Sequence, residues 1–141
     1  MGNLQKFHIS IKGLVCYKDK FILVKEPDGM WESPGGRVDS NEQFNDVLQR
    51  EIKEELDIDI PNICLDTILG INQRYDYKYG DDFALCTIFY KINLDTPPKI
   101  SLSPEHIEYI WIDKDTDLNK LSLKNNIQKE IFAKLQKSLN N

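Results

Sequence analysis

The sequence predicts an α/β (α+β) domain built on a mixed β-sheet. Three observations lead there. Segments rich in β-branched and aromatic residues lie on both sides of a central helical stretch, a second helical stripe follows near the C-terminus, and 141 residues suit one core rather than two. A single domain over residues 1–141 is therefore expected.

FHISIKGLVCY (7–17) and KFILVKE (20–26) are separated by the polar Lys18 and Asp19 and predict a hairpin. PDGMWESPGGRVDSNE (27–42) is a Gly- and Pro-rich loop, long enough to suggest a functional role. Residues 43–56 predict a helix, and CLDTILGINQ (64–73) and FALCTIFYKINL (83–94) predict two strands that pair antiparallel across RYDYKYGDD. A short strand, IEYIWID (107–113), precedes a closing helix over 124–138. There Ile127, Ile131, Phe132, Leu135 and Leu139 recur at helical spacing as a core stripe.

An apolar share of 40% and a charged share of 29% are those of an ordinary soluble globular chain and exclude a disordered or fibrous one. A net charge of −5 disfavours non-specific nucleic-acid binding, which depends on clustered Lys and Arg. Cys16, Cys64 and Cys86 are odd in number and form no CxxC pair, so neither a disulfide framework nor a zinc site is indicated. His8 and His106 have no second His or Cys at ligand spacing and are expected to be structural. MGNLQKFHISIKG has no signal-peptide pattern and no apolar run approaches a membrane span, so a cytoplasmic protein without membrane association is expected.

REIKEEL (50–56) carries the functional signal. Taking about 100° per residue with Glu51 at the origin, Val47, Phe44, Leu48, Ile52 and Leu56 span an apolar arc from about −40° to about 140°. Glu51 and Glu55 fall inside that arc and Glu54 at its edge, while Asp46, Gln49 and Lys53 take the opposite side. Inward carboxylates cost several kcal/mol each unless they are neutralised, paired or metal-bound. Arg50 can pair with one of them, and a hard divalent cation such as Mg²⁺, or Mn²⁺ in its place, suits the rest. The bland alternative is a solvated Glu-rich helix.

Gly36, five residues, Glu42, seven residues, then Arg50-Glu51-Ile52-Lys53-Glu54-Glu55-Leu56-Asp57-Ile58 resembles the signature of the Nudix hydrolases. In that family the closing pattern is Arg-Glu-aliphatic-any-Glu-Glu-any-Gly-aliphatic. The one departure is Asp57 in place of Gly, and Asp tolerates the left-handed conformation of a helix end at a cost of about 1 kcal/mol. The preceding WESPGG and the downstream EHIEYIW (105–111) resemble the same family.

The resemblance implies a Nudix fold, an α/β/α sandwich around the mixed sheet, and Mg²⁺-dependent hydrolysis of a nucleoside diphosphate linked to a further group. It implies metal-binding roles for Glu51, Glu54, Glu55 and the carbonyl of Gly36, an orienting role for Arg50, and a loop-to-helix tie through Glu42. The general base is expected to be Glu54 or Glu105, both being positions from which family members draw it.

Arg37, Arg74, Tyr75, Tyr79 and Phe83 are candidates for substrate contact, with Tyr77 beside them, although tyrosines around a β-loop also serve strand packing. The expected substrate is a small nucleotide, first of all a nucleoside triphosphate cleaved to monophosphate and pyrophosphate. Dinucleoside polyphosphates and nucleotide sugars are the alternatives, and a non-catalytic sensor is the alternative from another class. The protein is expected as a monomer or homodimer.

Overall fold

Along their full length, β1 (Lys6–Tyr17) and β6 (Phe83–Leu94) pair in parallel, from Lys6 opposite Phe83 to Tyr17 opposite Leu94. Among the described residues this ladder is the spine of a seven-stranded mixed sheet. The structure is a computed structural model describing residues 3–63, 67–75, 82–106, 108–124 and 126–139. β2 (Lys20–Lys25) turns back on β1 through Lys18 and Asp19, with Cys16 opposite Phe21, so the expected hairpin forms. β5 (Ile68–Tyr75) is antiparallel to β6, as expected, and β7 (Glu108–Ile112) is antiparallel to β2. Residues 64–66 of the first of these expected strands and residue 107 of the last lie outside the described residues.

The segment expected as a loop over 27–42 contains two short strands. β3 (Trp31–Glu32) pairs with β2, and β4 (Gly35–Arg37) pairs antiparallel with β1, Ser10 opposite Arg37 and Lys12 opposite Gly35. The glycines that suggest a loop are what let β4 lie so close. A Cβ at Gly35 would stand 2.0 Å from the Ile11 carbonyl oxygen, and the residue holds φ at 151°.

Helices cover both faces of the sheet. α1 (Phe44–Leu56) buries Leu48, Ile52 and Leu56 against Ile11, Val15, Ile22 and Val24. α2 (Asn126–Ser138) buries Ile131, Phe132 and Leu135 against Leu14, Phe21, Leu23 and Phe89. Alternate residues of β1 thus feed two cores, as a strand's two-residue period requires. Each fully buried Leu, Ile or Phe stabilises the fold by about 1.5–3 kcal/mol. Gly13 lets α1 approach β1, since a Cβ there would lie 2.8 Å from Ile52 Cδ1. Ile127, expected in the core stripe of α2, is 40% exposed: at about 100° per residue it lies on the flank of the buried arc formed by Gln128, Ile131, Phe132 and Leu135.

α1 ends as its sequence requires. Asp57 adopts the left-handed conformation (φ 57°, ψ 39°), and its N–H donates to the Lys53 carbonyl at 3.0 Å. The N–H groups of Ser101 and Ser103 donate to the carbonyls of Leu56 and Glu55 at 3.0 and 3.1 Å. They satisfy helix-end acceptors and anchor the segment that leads to Glu105.

Candidate active site

The three glutamates of α1 occupy three different environments. Glu55 is 8% exposed, and its Oε2 accepts the Gly35 N–H at 3.2 Å. Burial pushes its pKa up to about 8, against the opposing pull of Lys12 and of that N–H. Glu51 is half-buried and accepts from Arg50 Nη1 at 2.8 Å; burial raises its pKa in spite of that partner. Glu54 faces solvent at the edge of the apolar arc, 3.7 Å from Arg50 Nη1.

Arg50 ties this end of the helix together. Its Nη2 donates to both Glu42 oxygens, at 3.1 and 3.3 Å, while Nη1 serves Glu51. Glu42 also accepts the Asp39 N–H at 2.9 Å, and that bond and Arg50 hold its pKa down. Loop and helix are therefore joined by charge-assisted bonds, the geometry in which a guanidinium fork outperforms an ammonium. At Gly36 the fit is tight: a Cβ would meet Glu51 Cδ at 2.5 Å. The Gly36 carbonyl accepts from Ser10 Oγ at 3.5 Å.

A second acidic group was not legible from spacing. Among the described residues, Glu26, Glu32 and His106 bring their ligand atoms within 4.8 Å of one another. His106 Nε2 lies 3.2 Å from Glu26 and Nδ1 lies 3.3 Å from Ser103 Oγ. Glu26 hydrogen-bonds Glu32, which with burial pushes Glu26 up to about 7. Burial alone would raise Glu32, but Lys12 at 3.8 Å, the bond from Glu26 and Lys124 at 3.1 Å outweigh it and hold Glu32 low. In the sequence Glu32 stands within the segment expected as a loop, and nothing in its spacing links it to Glu26 or His106. His106 finds its carboxylate partner Glu26 far away in the chain, not at the short spacing of a His or Cys ligand pair. Glu105 precedes it, exposed, on the segment that Ser103 fixes to α1.

Beside these groups lies a cavity of about 480 Å³, lined by Lys12, Glu32, Gly36, Arg37, Arg74 and Lys124, with Ser10, Asn72 and Thr87 from the sheet and Gln128 from α2. Of the expected substrate contacts, Arg37 and Arg74 line it. Tyr75 is 62% exposed at the end of β5 and is not part of the described lining. Phe83 packs its ring 4.5 Å from that of His8, and Tyr79, like Tyr77, lies outside the described residues. The described lining does not include the helix glutamates; it approaches them through Gly36, which abuts Glu51, and through Lys12. No helix among the described residues is long and apolar enough to cross a membrane.

A mixed sheet between two helices, with a glycine strand laid against a glutamate-bearing helix, defines an α+β domain, and the cavity beside it is lined by Lys12, Arg37, Arg74 and Lys124 together with Asp28 and Glu32. The NUDIX domain profile matches residues 6–135, and the chain belongs to that family. It is 35% identical over 80 residues to an uncharacterized Nudix hydrolase of Nostoc sp., covering 57% of this chain and 44% of that protein. It is 33% identical over 75 residues to an 8-oxo-dGTP diphosphatase of Proteus vulgaris, covering 48% of this chain and 66% of that protein. The chain thus matches less than two thirds of either relative's length. Among solved structures, a MutT protein from Methanosarcina mazei superposes with a TM-score of 0.76 at 21% identity, covering 97% of this chain and 98% of that one.

Proposed function

We propose that the chain is a divalent-metal-dependent pyrophosphohydrolase of nucleoside diphosphate derivatives, acting first on nucleoside triphosphates to give the monophosphate and pyrophosphate. The observation that carries this reading is the burial of Glu55, with Glu51 beside it, against Gly35 and Gly36, the second of which also lines the cavity that bears Lys12, Arg37, Arg74 and Lys124. The likeness to an 8-oxo-dGTP diphosphatase supports a nucleoside triphosphate as substrate. One continuous sheet spanning the described residues supports a single domain over 1–141. The free thiols of Cys16 and Cys86 suit a cytoplasmic setting.

The residues fit Mg²⁺ or Mn²⁺. Glu51, Glu54, Glu55 and the Gly36 carbonyl offer only oxygen donors, burial disfavours the charge on Glu55 that a cation would offset, and the glycine lets β4 lie against Glu51 where a side chain would intrude. When bound, such an ion offsets charge on phosphate oxygens and lowers the pKa of water. The chain's own residues supply the rest. Arg37, Arg74, Lys12 and Lys124 attract and hold the phosphates, and Arg50 keeps Glu51 aimed. Glu54 or Glu105 takes the proton of the attacking water, whose oxygen bonds to phosphorus as the bridging oxygen leaves with the departing phosphate group.

The test is Mg²⁺-dependent release of phosphate or pyrophosphate from nucleoside triphosphates, dinucleoside polyphosphates and nucleotide sugars, comparing the wild type with Glu54→Gln and Glu105→Gln. Turnover that falls at least a hundredfold in one variant identifies the base. Tight binding without turnover of any compound by the wild type would replace the enzyme with a nucleotide sensor.

A further inference from the structure

The sheet face beneath α2 is apolar around Leu14, Phe21 and Phe89, yet one row across it is polar. Ser10 of β1 stands opposite Thr87 of β6, and Thr87 stands opposite Asn72 of β5. On the other edge of β1, Ser10 is also opposite Arg37 of β4. The row therefore crosses four strands, and all four residues line the cavity. Ser10 and Thr87 are each 6% exposed and Asn72 is 3% exposed.

A buried amide or hydroxyl left without a partner costs roughly 1–3 kcal/mol. Asn72 Oδ1 is buried and has no hydrogen-bond partner among the described residues, and Ser10 Oγ donates a long bond of 3.5 Å to the Gly36 carbonyl. Apolar residues at these positions would extend the core with no such cost. A polar row in this place is accounted for by a ligand that completes it.

The chemistry of the row says which part of the ligand that is. The Arg37 end is cationic and adjoins Gly36, so it suits phosphate. Ser10, Thr87 and Asn72 are neutral and offer hydroxyl and carboxamide groups, with Leu85 of the next row and Met30 contributing apolar surface. Such a lining suits a planar heterocycle whose edge carries N–H donors and ring or carbonyl acceptors, while Arg74, opposite Leu85 in the next row, adds a cation beside it. We propose that the Ser10–Thr87–Asn72 row reads the base of the nucleotide, and that Asn72 discriminates between bases by accepting an N–H from the base edge. The proposal rests on the nucleotide reading above and goes further by locating the specificity.

The experiment measures kcat/KM on four nucleoside triphosphates differing only in base, together with calorimetric binding of the four nucleoside monophosphates and of ribose 5-phosphate, for wild type, Asn72→Leu and Thr87→Val. The wild type is expected to distinguish its best from its worst base at least tenfold in both readouts and to bind ribose 5-phosphate weakly. Asn72→Leu is expected to compress that range below about threefold while melting no lower than the wild type, because it removes an unsatisfied buried acceptor. Thr87→Val, close in shape, serves if the leucine does not pack. Base preference unchanged in both folded variants overturns the assignment, as does a wild type indifferent to base. Base-dependent binding without hydrolysis of any triphosphate would refute the hydrolase reading and leave this one standing.

Discussion

The α-carbon of Gly36 lies against the carboxylate of Glu51, so close that a Cβ would stand 2.5 Å from Glu51 Cδ and 2.6 Å from Oε1. The backbone of the strand is the stiffer partner, so the carboxylate is the one that must give. Gly36 is fixed in β4 opposite Ile11, and Glu51 is held by Arg50.

Gly36→Ala therefore displaces the Glu51 carboxylate without unfolding the chain. Misplacing a reacting group by about 1 Å costs on the order of a hundredfold in rate. Steady-state kinetics should show that loss in kcat/KM, with a far-UV circular dichroism spectrum like that of the wild type. Full activity would mean that Glu51 need not sit where it does.

Glu55 makes stability depend on pH in a stated direction. Its folded pKa of about 8 lies above the ordinary 4.5, so between those values the folded state keeps a proton that the unfolded state releases. Without divalent metal, wild-type stability should fall relative to Glu55→Gln as pH rises from about 4.5 to about 8, by on the order of a few kcal/mol, and then level off. Urea unfolding of both proteins in chelator at pH 5, 6.5 and 8 measures the difference. A gap that stays constant across that range contradicts the burial argument.

Asp57→Gly should stabilise the protein. Glycine takes the left-handed position freely, a gain of about 1 kcal/mol, while the half-exposed Lys53–Asp57 pair at 3.2 Å contributes a few tenths. A melting temperature higher by a few degrees with unchanged kcat is the expected result. A lower one would mean that the ion pair outweighs the backbone.

Arg50→Lys keeps the charge and loses the fork. One ammonium cannot serve Glu42 through two bonds and Glu51 through a third, so kcat should fall at least tenfold with KM changed little, and stability by about 1 kcal/mol. An unaffected kcat would assign Arg50 to the fold alone.

Much of this architecture was readable in the sequence because its signals are local. The helix over REIKEEL, the left-handed Asp57 and the inward turn of Glu51 and Glu55 follow from periodicity and helix-end chemistry within a few residues. What escaped depends on pairing between distant segments. β4 looked like loop because its glycines serve a close approach to β1, and the Ser10–Thr87–Asn72 row exists only once three strands fall into register. Glu26, Glu32 and His106 likewise meet across 80 residues of chain in the bond from His106 to Glu26. Ile127 went the other way: helical spacing marks a stripe, not where its flank meets solvent, and Ile127 lies on that flank.

The most direct measurement is Mn²⁺ binding, followed by electron paramagnetic resonance, to the wild type, Glu51→Gln, Glu55→Gln and His106→Asn. If the α1 glutamates hold the catalytic cation, both glutamine variants lose at least tenfold in affinity and their hydrolytic activity, while His106→Asn binds Mn²⁺ like the wild type. Wild-type affinity in the glutamine variants, with binding lost in His106→Asn, would move the metal to the Glu26–Glu32–His106 group and contradict the account.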